Sequence, residues 1–255
     1  MNDFDVLVVE DEPVVIEATR KALHPEGLRI DAAEDGESAL AKLRQSKYKL
    51  ILLDLMLPRI TGFELVKAVT EQSPGVPVIL ITGYATFDKT VAAFQAGAFD
   101  FLPKPFDVEE LLGVVRRALR FFGQQRSVDQ QQQSAGGSRE NLFFLGAHSW
   151  TRLEEDGSAT VGLGETFAGV SGDLQAIELP TPGEEMAQGK SFAKLMSSEG
   201  LVGNVWSPLS GRVQETNSDL HSQLHWIDKD PFEKGWLVKL SPTHLEQELK
   251  NLTQR

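Results

Sequence analysis

Five polar side chains stand at the ends of apolar runs within the first 104 residues, where they could act together. Three are carboxylates, one is a hydroxyl and one is an ammonium: Glu10, Asp11, Asp54, Thr82 and Lys104. Carboxylates without nearby thiols or imidazoles form a hard oxygen site that suits a divalent cation such as Mg²⁺. With a lysine charge and a threonine hydroxyl added, such a site can hold a tetrahedral oxyanion.

Asp54 lies inside an apolar run, Ile51–Pro58. The run is typical of a strand that is buried on both faces, where an unpaired charge is costly. Taken alone, Asp54 is more simply interpreted as a strand-end aspartate that binds backbone amides of the next turn. The same explanation would be needed at four separate strand ends, so we favour a shared site.

Strand and helix patterns alternate five times before residue 122, which predicts a parallel sheet covered by helices on both faces. The predicted strands cover residues 6–9, 29–33, 51–58, 76–82 and 98–102. In such a sheet the functional residues gather outside the carboxyl ends of the strands. The five polar residues are therefore expected to converge at one edge.

Composition narrows the class of protein. The 255 residues include no cysteine, which excludes disulfides and thiolate metal sites, and the formal net charge is -12. Both halves are acidic, so no basic footprint for nucleic acid is expected. No apolar run approaches the roughly 20 residues that span a bilayer, and no signal peptide is evident. These features predict a cytoplasmic protein without a membrane or nucleic-acid partner.

The first half resembles the receiver domain of two-component response regulators. The resemblance rests on four motifs taken together: Val9–Pro13, Leu53–Pro58 with Gly62, Ile81–Gly83 and Phe101–Pro105. It implies a flavodoxin-like α/β fold with strand order 2-1-3-4-5 over residues 1–122. It also implies that Asp54 accepts a phosphoryl group from a histidine kinase or a phosphotransfer protein.

The resemblance further implies a metal site. Asp11, Asp54 and the backbone carbonyl of Met56 are expected to bind Mg²⁺ or Mn²⁺, with Glu10 acting through a bound water. Glu10 stands where aspartate is more frequent in the family.

Three further residues receive roles from the resemblance. Lys104 is expected to pair with Asp54 before transfer and with the phosphoryl group after it. Thr82 is expected to hydrogen-bond the phosphoryl group, and Phe101 matches the aromatic residue that turns inward when the threonine moves. An ordinary core aromatic remains the alternative interpretation of Phe101.

Residues 123–142 are rich in Gln, Ser and Gly and lack apolar periodicity. This composition is typical of a flexible linker, although the last helix could continue into the Gln run.

The second half, residues 143–255, has short β runs separated by turns, which predicts a mainly β barrel or sandwich. It resembles the H protein of the glycine cleavage system, a relative of lipoyl and biotinyl carrier domains with a barrel-sandwich hybrid fold. The residues that carry the resemblance are His148–Trp150, Val161–Leu163, Gly172–Leu174 with Glu178–Pro180, Ser207–Gly211 and Asp230–Leu237.

The chain departs from the H-protein pattern at the lipoyl lysine. Counting back from Ser207–Gly211 places Gly200 at the hairpin tip where that lysine should stand. Lys194 and Lys190 are nearby, but Lys194 falls within a predicted strand and Lys190 at the preceding turn. We therefore expect no lipoate on this domain.

These features favour a signalling protein that is not an enzyme. The receiver would be the input and the H-like domain a protein-interaction output with an unknown downstream partner. A receiver homodimer is left open. One alternative is a regulator of glycine cleavage or lipoyl metabolism, and another is a phosphate sink without output.

Overall fold

In a computed structural model of the chain, residues 4–83, 86–127, 141–199 and 202–254 are described. The chain divides into two compact units. The first unit holds Met1–Ala85 and Ala96–Gln130, and the second holds Thr86–Gln95 and Gln131–Arg255. Most of the predicted linker lies outside the described residues, and the predicted boundaries at 122 and 142 stay predictions.

The first unit is built on a five-stranded parallel sheet. Its strands are β1 (Val6–Val9), β2 (Ile30–Ala33), β3 (Leu50–Asp54), β4 (Val78–Thr82) and β5 (Asp100–Pro103). They lie in the order β2-β1-β3-β4-β5, and every neighbouring pair is parallel. The predicted strand order is therefore confirmed. Strands β1, β3 and β4 are buried at every position, as expected for parallel strands covered on both faces.

Helices follow each of the five strands along the chain. They are α1 (Pro13–Leu23), α2 (Gly36–Gln45), α3 (Gly62–Gln72), α4 (Phe87–Gln95) and α5 (Val108–Ser127). Capping boxes at Asp35 and Thr61 begin α2 and α3. Asp107 accepts a hydrogen bond from the Glu110 amide at 2.8 Å and begins α5. Such caps satisfy amides that have no partner within the helix.

The second unit contains two antiparallel sheets. Its strands are β6 (Leu142–Leu145), β7 (Ser149–Leu153), β8 (Ala159–Leu163), β9 (Leu174–Glu178), β10 (Glu185–Met186), β11 (Ser191–Ser197), β12 (Val202–Trp206), β13 (Gly211–Thr216), β14 (Trp236–Pro242) and β15 (Thr253–Gln254). Seven form one sheet in the order β10-β13-β14-β8-β7-β6-β15, and three form the other in the order β12-β11-β9. Short helices α6 (Glu165–Val170), α7 (Trp226–Lys229) and α8 (Leu245–Glu248) complete the unit.

One hydrophobic core joins the two sheets of the second unit. Val161 and Leu240 from the larger sheet and Leu195 and Val205 from the smaller sheet belong to the same buried cluster. The prediction of a mainly β barrel-sandwich domain is thus confirmed. Across the ranges that the structure describes, no helix has the length and hydrophobicity to cross a membrane.

Candidate functional site

The parallel sheet brings four of the predicted residues to its carboxyl edge. Glu10 follows β1, Asp54 ends β3, Thr82 ends β4 and Lys104 follows β5. Glu10, Asp54 and Thr82 are 4%, 7% and 0% exposed. The fifth residue, Asp11, directly follows Glu10 and is exposed.

Lys104 lies between two carboxylates. Its ammonium donates to Asp54 Oδ2 at 2.5 Å and to Glu10 Oε2 at 2.8 Å. Its backbone amide donates to the Thr82 carbonyl at 2.8 Å, which extends the pairing of β4 with β5. One cation therefore balances two buried anions, and the site keeps a net negative charge.

The other oxygens of the two carboxylates differ in their surroundings. Asp54 Oδ1 accepts a hydrogen bond from the Met56 amide at 2.7 Å. This is the bond to the following turn that the simpler interpretation of Asp54 requires, and it coexists with the Lys104 pair. Glu10 Oε1 is buried and has no hydrogen-bond partner in the described part of the chain.

An unpartnered carboxylate oxygen is an open position for a cation, because the donors around it are hard oxygen atoms. Among the described residues, however, no three His, Cys, Asp or Glu side chains are grouped closely enough to hold a metal ion. Lys104 takes the position between Glu10 and Asp54, and Asp11 is exposed. The Mg²⁺ ligand set therefore stays a prediction.

Burial shapes the acid–base behaviour of the site. It raises the pKa of Glu10, as does the like charge of Asp54, and the Lys104 ammonium opposes the rise without cancelling it. Burial lowers the pKa of Lys104, but hydrogen bonds to Asp54 and Glu10 outweigh burial and hold that pKa above its usual range. Lys104 therefore stays a cation at neutral pH.

Phe101 is 1% exposed and pairs with Leu80 in the β4–β5 ladder. A buried ring agrees with an ordinary core aromatic and equally with the inward position of a switch residue. The switch roles of Phe101 and Thr82 stay predictions.

Arg59, five residues after Asp54 in the chain, makes ion pairs that the sequence analysis missed. It has a φ of 71° in the turn after β3, and its guanidinium binds Asp35 at 2.5 Å and Glu37 at 3.5 Å. The pair joins the segment after Asp54 to the start of α2. No local pattern predicts it, because Arg59 and Asp35 are 24 residues apart.

In the second unit, the lipoyl-lysine position at Gly200 lies outside the described residues. Lys194 lies in the interior of β11, where it pairs with Glu178 of β9 and Asn204 of β12. Lys190 lies in the turn before that strand. Neither lysine stands at the hairpin tip.

Comparison with known proteins defines the class of each part. Residues 6–116 match the family described as response regulator receiver domain, and residues 142–255 match glycine cleavage H-protein. The chain thus joins a receiver domain to an H-protein domain.

The second part belongs to the glycine cleavage H-protein family. It is 36% identical over 114 residues to the probable glycine cleavage system H protein of Thermococcus kodakarensis, an alignment covering 45% of this chain and 84% of the relative.

The first part is similar to several regulators. Identity is 39% over 118 residues to the probable transcriptional regulatory protein TcrX of Mycobacterium tuberculosis, covering 46% of this chain and 50% of the relative. It is 35% over 131 residues to the nitrogen assimilation regulatory protein NtrX of Azorhizobium caulinodans, covering 51% of this chain and 29% of the relative. The chain spans half or less of the length of these regulators. The solved receiver domain of NtrX from Brucella abortus is 36% identical with a TM-score of 0.44, covering 46% of this chain and 98% of that structure.

Proposed function

We propose that this chain is a two-component response regulator whose Asp54 accepts a phosphoryl group from a histidine kinase or a phosphotransfer protein. The observation that carries the proposal is the contact of Asp54 with Lys104 at the carboxyl edge of a receiver-family sheet. The receiver family is a signalling family, so we do not propose an enzyme.

The chemistry uses residues of this chain. A carboxylate oxygen of Asp54 attacks phosphorus, the O–P bond forms, and the P–N bond of the donor phosphohistidine breaks as the histidine leaves. Lys104 holds the carboxylate in place and then pairs with the phosphoryl oxygens. The Thr82 hydroxyl donates a hydrogen bond to one of those oxygens.

We propose that Asp11, Asp54 and the Met56 carbonyl hold Mg²⁺ or Mn²⁺, with Glu10 acting through water. The unpartnered Oε1 of Glu10 supports an oxygen-lined cation position. When bound, the ion would neutralise charge on the phosphoryl oxygens.

For the second domain we propose a protein-interaction output that carries no lipoate. Gly200 at the position of the lipoyl lysine and the strand position of Lys194 support this proposal. The competing function is regulation of glycine cleavage or lipoyl transfer, which the H-protein relative favours. A lipoate-specific blot and an intact mass after incubation with a lipoyl ligase separate the two, because a lipoyl mass shift would support the metabolic function.

Phosphoryl transfer is tested with radiolabelled phosphoramidate, a small donor that contains a P–N bond, and Mg²⁺. We expect acid-stable, base-labile label on the wild-type chain and none on Asp54→Ala. Asp107→Ser keeps a helix cap away from the site and should label normally. Equal labelling of Asp54→Ala would refute Asp54 as the acceptor.

A further inference from the structure

The loop between β3 and α3 follows Asp54 and supplies a backbone group that holds its side chain. The Met56 amide donates to Asp54 Oδ1 at 2.7 Å. At the base of the loop the Gly62 amide donates to the Leu55 carbonyl at 3.2 Å, and the Leu55 amide donates to the Ile81 carbonyl of β4 at 3.0 Å. This base fixes one end of the segment that contains Met56, and the tip of the loop must fix the other.

The tip of the loop has an unusual backbone conformation. Arg59 has a φ of 71°, and the Ile60 amide donates to the Pro58 carbonyl at 2.9 Å across it. Residues other than glycine rarely adopt this conformation, because the Cβ atom then crowds the backbone. Glycine would adopt it without that penalty. The backbone at the tip is therefore less stable with arginine than it would be with glycine.

The Arg59 side chain binds the tip of the loop to the first turn of α2. Its guanidinium contacts Asp35 Oδ2 at 2.5 Å and Glu37 at 3.5 Å. The other carboxylate oxygen of Asp35 accepts a hydrogen bond from the Ser38 amide at 2.7 Å, the bond that begins α2. Asp35 thus caps the helix and holds the loop at the same time.

Stability does not explain these ion pairs. The Arg59 side chain is 60% exposed, and exposed ion pairs contribute little to the free energy of unfolding. The tip also packs closely on α2, since a Cβ at Gly36 would lie 3.0 Å from the Ile60 Cβ. A planar guanidinium between two carboxylates adds a fixed direction to that contact. A strained residue with such pairs is typical of a segment whose geometry matters for function.

We propose that Arg59 is a positioning residue for phosphoryl transfer. Its ion pairs with α2 fix the tip of the loop, and the tip fixes the Met56 amide. That amide holds the Asp54 carboxylate in the orientation for attack. This proposal rests on the proposed function, and it requires no contact between Arg59 and the phosphoryl group.

Arg59→Gly separates positioning from stability. It removes the guanidinium and relieves the backbone, so the midpoint of urea unfolding should stay the same or rise. The rate of labelling by phosphoramidate with Mg²⁺ should fall about tenfold, because small misplacements of a reacting group slow a reaction steeply. Hydrogen exchange of the Met56 amide, followed by NMR on the full chain, should become about tenfold faster because its bond to Asp54 opens more often.

Two further variants test the partner and the specificity of the effect. Asp35→Ser removes a carboxylate that Arg59 binds but keeps a residue that caps helices well, and it should reproduce both changes. Arg20→Gln is the matched control, because it removes an arginine of α1 that pairs with Glu17 at 3.5 Å. It should leave the labelling rate, the Met56 exchange and the unfolding midpoint unchanged.

Wild-type rates of labelling and of Met56 exchange in Arg59→Gly would refute the proposal, and so would a change in only one of them. A lower unfolding midpoint in Arg59→Gly would mean that Arg59 supports folding and not orientation, which also refutes it. If wild type takes label and Arg59→Gly matches it, the positioning role fails and the proposed function stands. If wild type takes no label, both fail, whereas the Met56 exchange still decides whether Arg59 holds the loop.

Discussion

Lys104 governs the electrostatics at the carboxyl edge of the first unit. It is the cation bonded to both Asp54 and Glu10, and these carboxylates are almost fully buried. A buried ion pair adds little net stability, but removal of one partner leaves an uncompensated charge. The contacts of Asp54 with Lys104 and with the Met56 amide hold its carboxylate in one orientation.

Lys104→Met should lower the free energy of unfolding at pH 7 by about 3 kcal/mol, the lower end for a broken buried ion pair. The lower end applies because the Lys104 side chain is 24% exposed. Denaturant unfolding followed by far-UV circular dichroism measures the change. Lys67→Met removes an exposed lysine of α3 and should change stability little. If the two substitutions lowered stability equally, Lys104 would not be the partner on which the two buried carboxylates depend.

Because of Glu10, part of the free energy of unfolding should fall as pH rises, which is the opposite of what a carboxylate with a lowered pKa causes. Because burial raises its pKa above the ordinary 4.5, the folded chain binds this proton more tightly than the unfolded chain. The stability that Glu10 contributes is present below that value and is lost as pH rises through the raised pKa. Glu10→Gln cannot ionise, so its stability relative to wild type should increase from pH 4 to pH 7.

Unfolding of both proteins at several pH values measures this relative gain. Glu71→Gln, at an exposed position of α3, is the control and should show no such trend. A relative stability of Glu10→Gln that falls towards neutral pH would mean that Lys104 outweighs burial at Glu10.

At the scale of elements, the junction of β3 with α3 depends on close backbone packing. A Cβ at Gly62 would lie 2.7 Å from the Leu55 Cα and 3.1 Å from the Asp54 carbonyl. The first turn of α3 therefore presses on the segment that holds Asp54. Only glycine fits without moving one of the two.

Gly62→Ala should lower the free energy of unfolding by about 1–3 kcal/mol, because the added methyl overpacks against backbone. Gly123→Ala on α5 meets nothing within 4 Å and should instead stabilise the chain by up to about 1 kcal/mol. Far-UV circular dichroism during urea unfolding measures both. If Gly62→Ala left the free energy of unfolding unchanged, α3 and the end of β3 would be able to move apart without cost.

A second element contact holds β2 to the segment before β3. The Tyr48 hydroxyl donates to Asp31 at 2.8 Å, and Lys42 pairs with the same carboxylate at 2.8 Å. Tyr48→Phe should lower the free energy of unfolding by about 1 kcal/mol, the usual contribution of such a hydrogen bond to a partly buried acceptor. Thermal unfolding of Tyr48→Phe checks this, with Lys42→Met, which removes the other partner of Asp31, measured for comparison. If Tyr48→Phe loses no stability, water replaces the hydroxyl as the hydrogen-bond donor to Asp31.

At the scale of the whole molecule, two compact units carry separate spectroscopic reporters. All four tryptophans, Trp150, Trp206, Trp226 and Trp236, belong to the second unit. Tryptophan fluorescence therefore follows the unfolding of that unit, while far-UV circular dichroism follows both. Domains with their own cores can unfold as separate cooperative units.

Phe99→Ala should lower the free energy of unfolding of the first unit, followed by circular dichroism, by about 3 kcal/mol or more. It should leave the midpoint of the fluorescence transition unchanged. Phe167→Ala, in the second unit, should shift the fluorescence transition by a similar amount. Both are tested by denaturant titration with the two probes in parallel. If either substitution moves both transitions equally, the chain unfolds as a single cooperative body.

The sequence alone determined the parallel sheet, its strand order through the receiver resemblance, and the barrel-sandwich class of the second half. These follow from local signals: the apolar run Ile51–Pro58, the alternation of strand and helix patterns before residue 122, and the short β runs separated by turns in residues 143–255. Such signals act within a few residues, so they can be recognised without knowing the fold. They also indicated which polar residues share the carboxyl edge, because strand direction alone places them there.

Tertiary structure alone decided which further contacts those residues make. Lys104 reaches Asp54 over 50 residues, the pair that the receiver resemblance implied, and it also reaches Glu10 over 94 residues, a pair that the sequence did not predict. The Arg59 pair with Asp35 and the packing of α4 within the second unit were likewise not predicted. Each depends on distances that exist only after remote segments pack, since side-chain conformation and burial are properties of the folded chain and not of its local pattern.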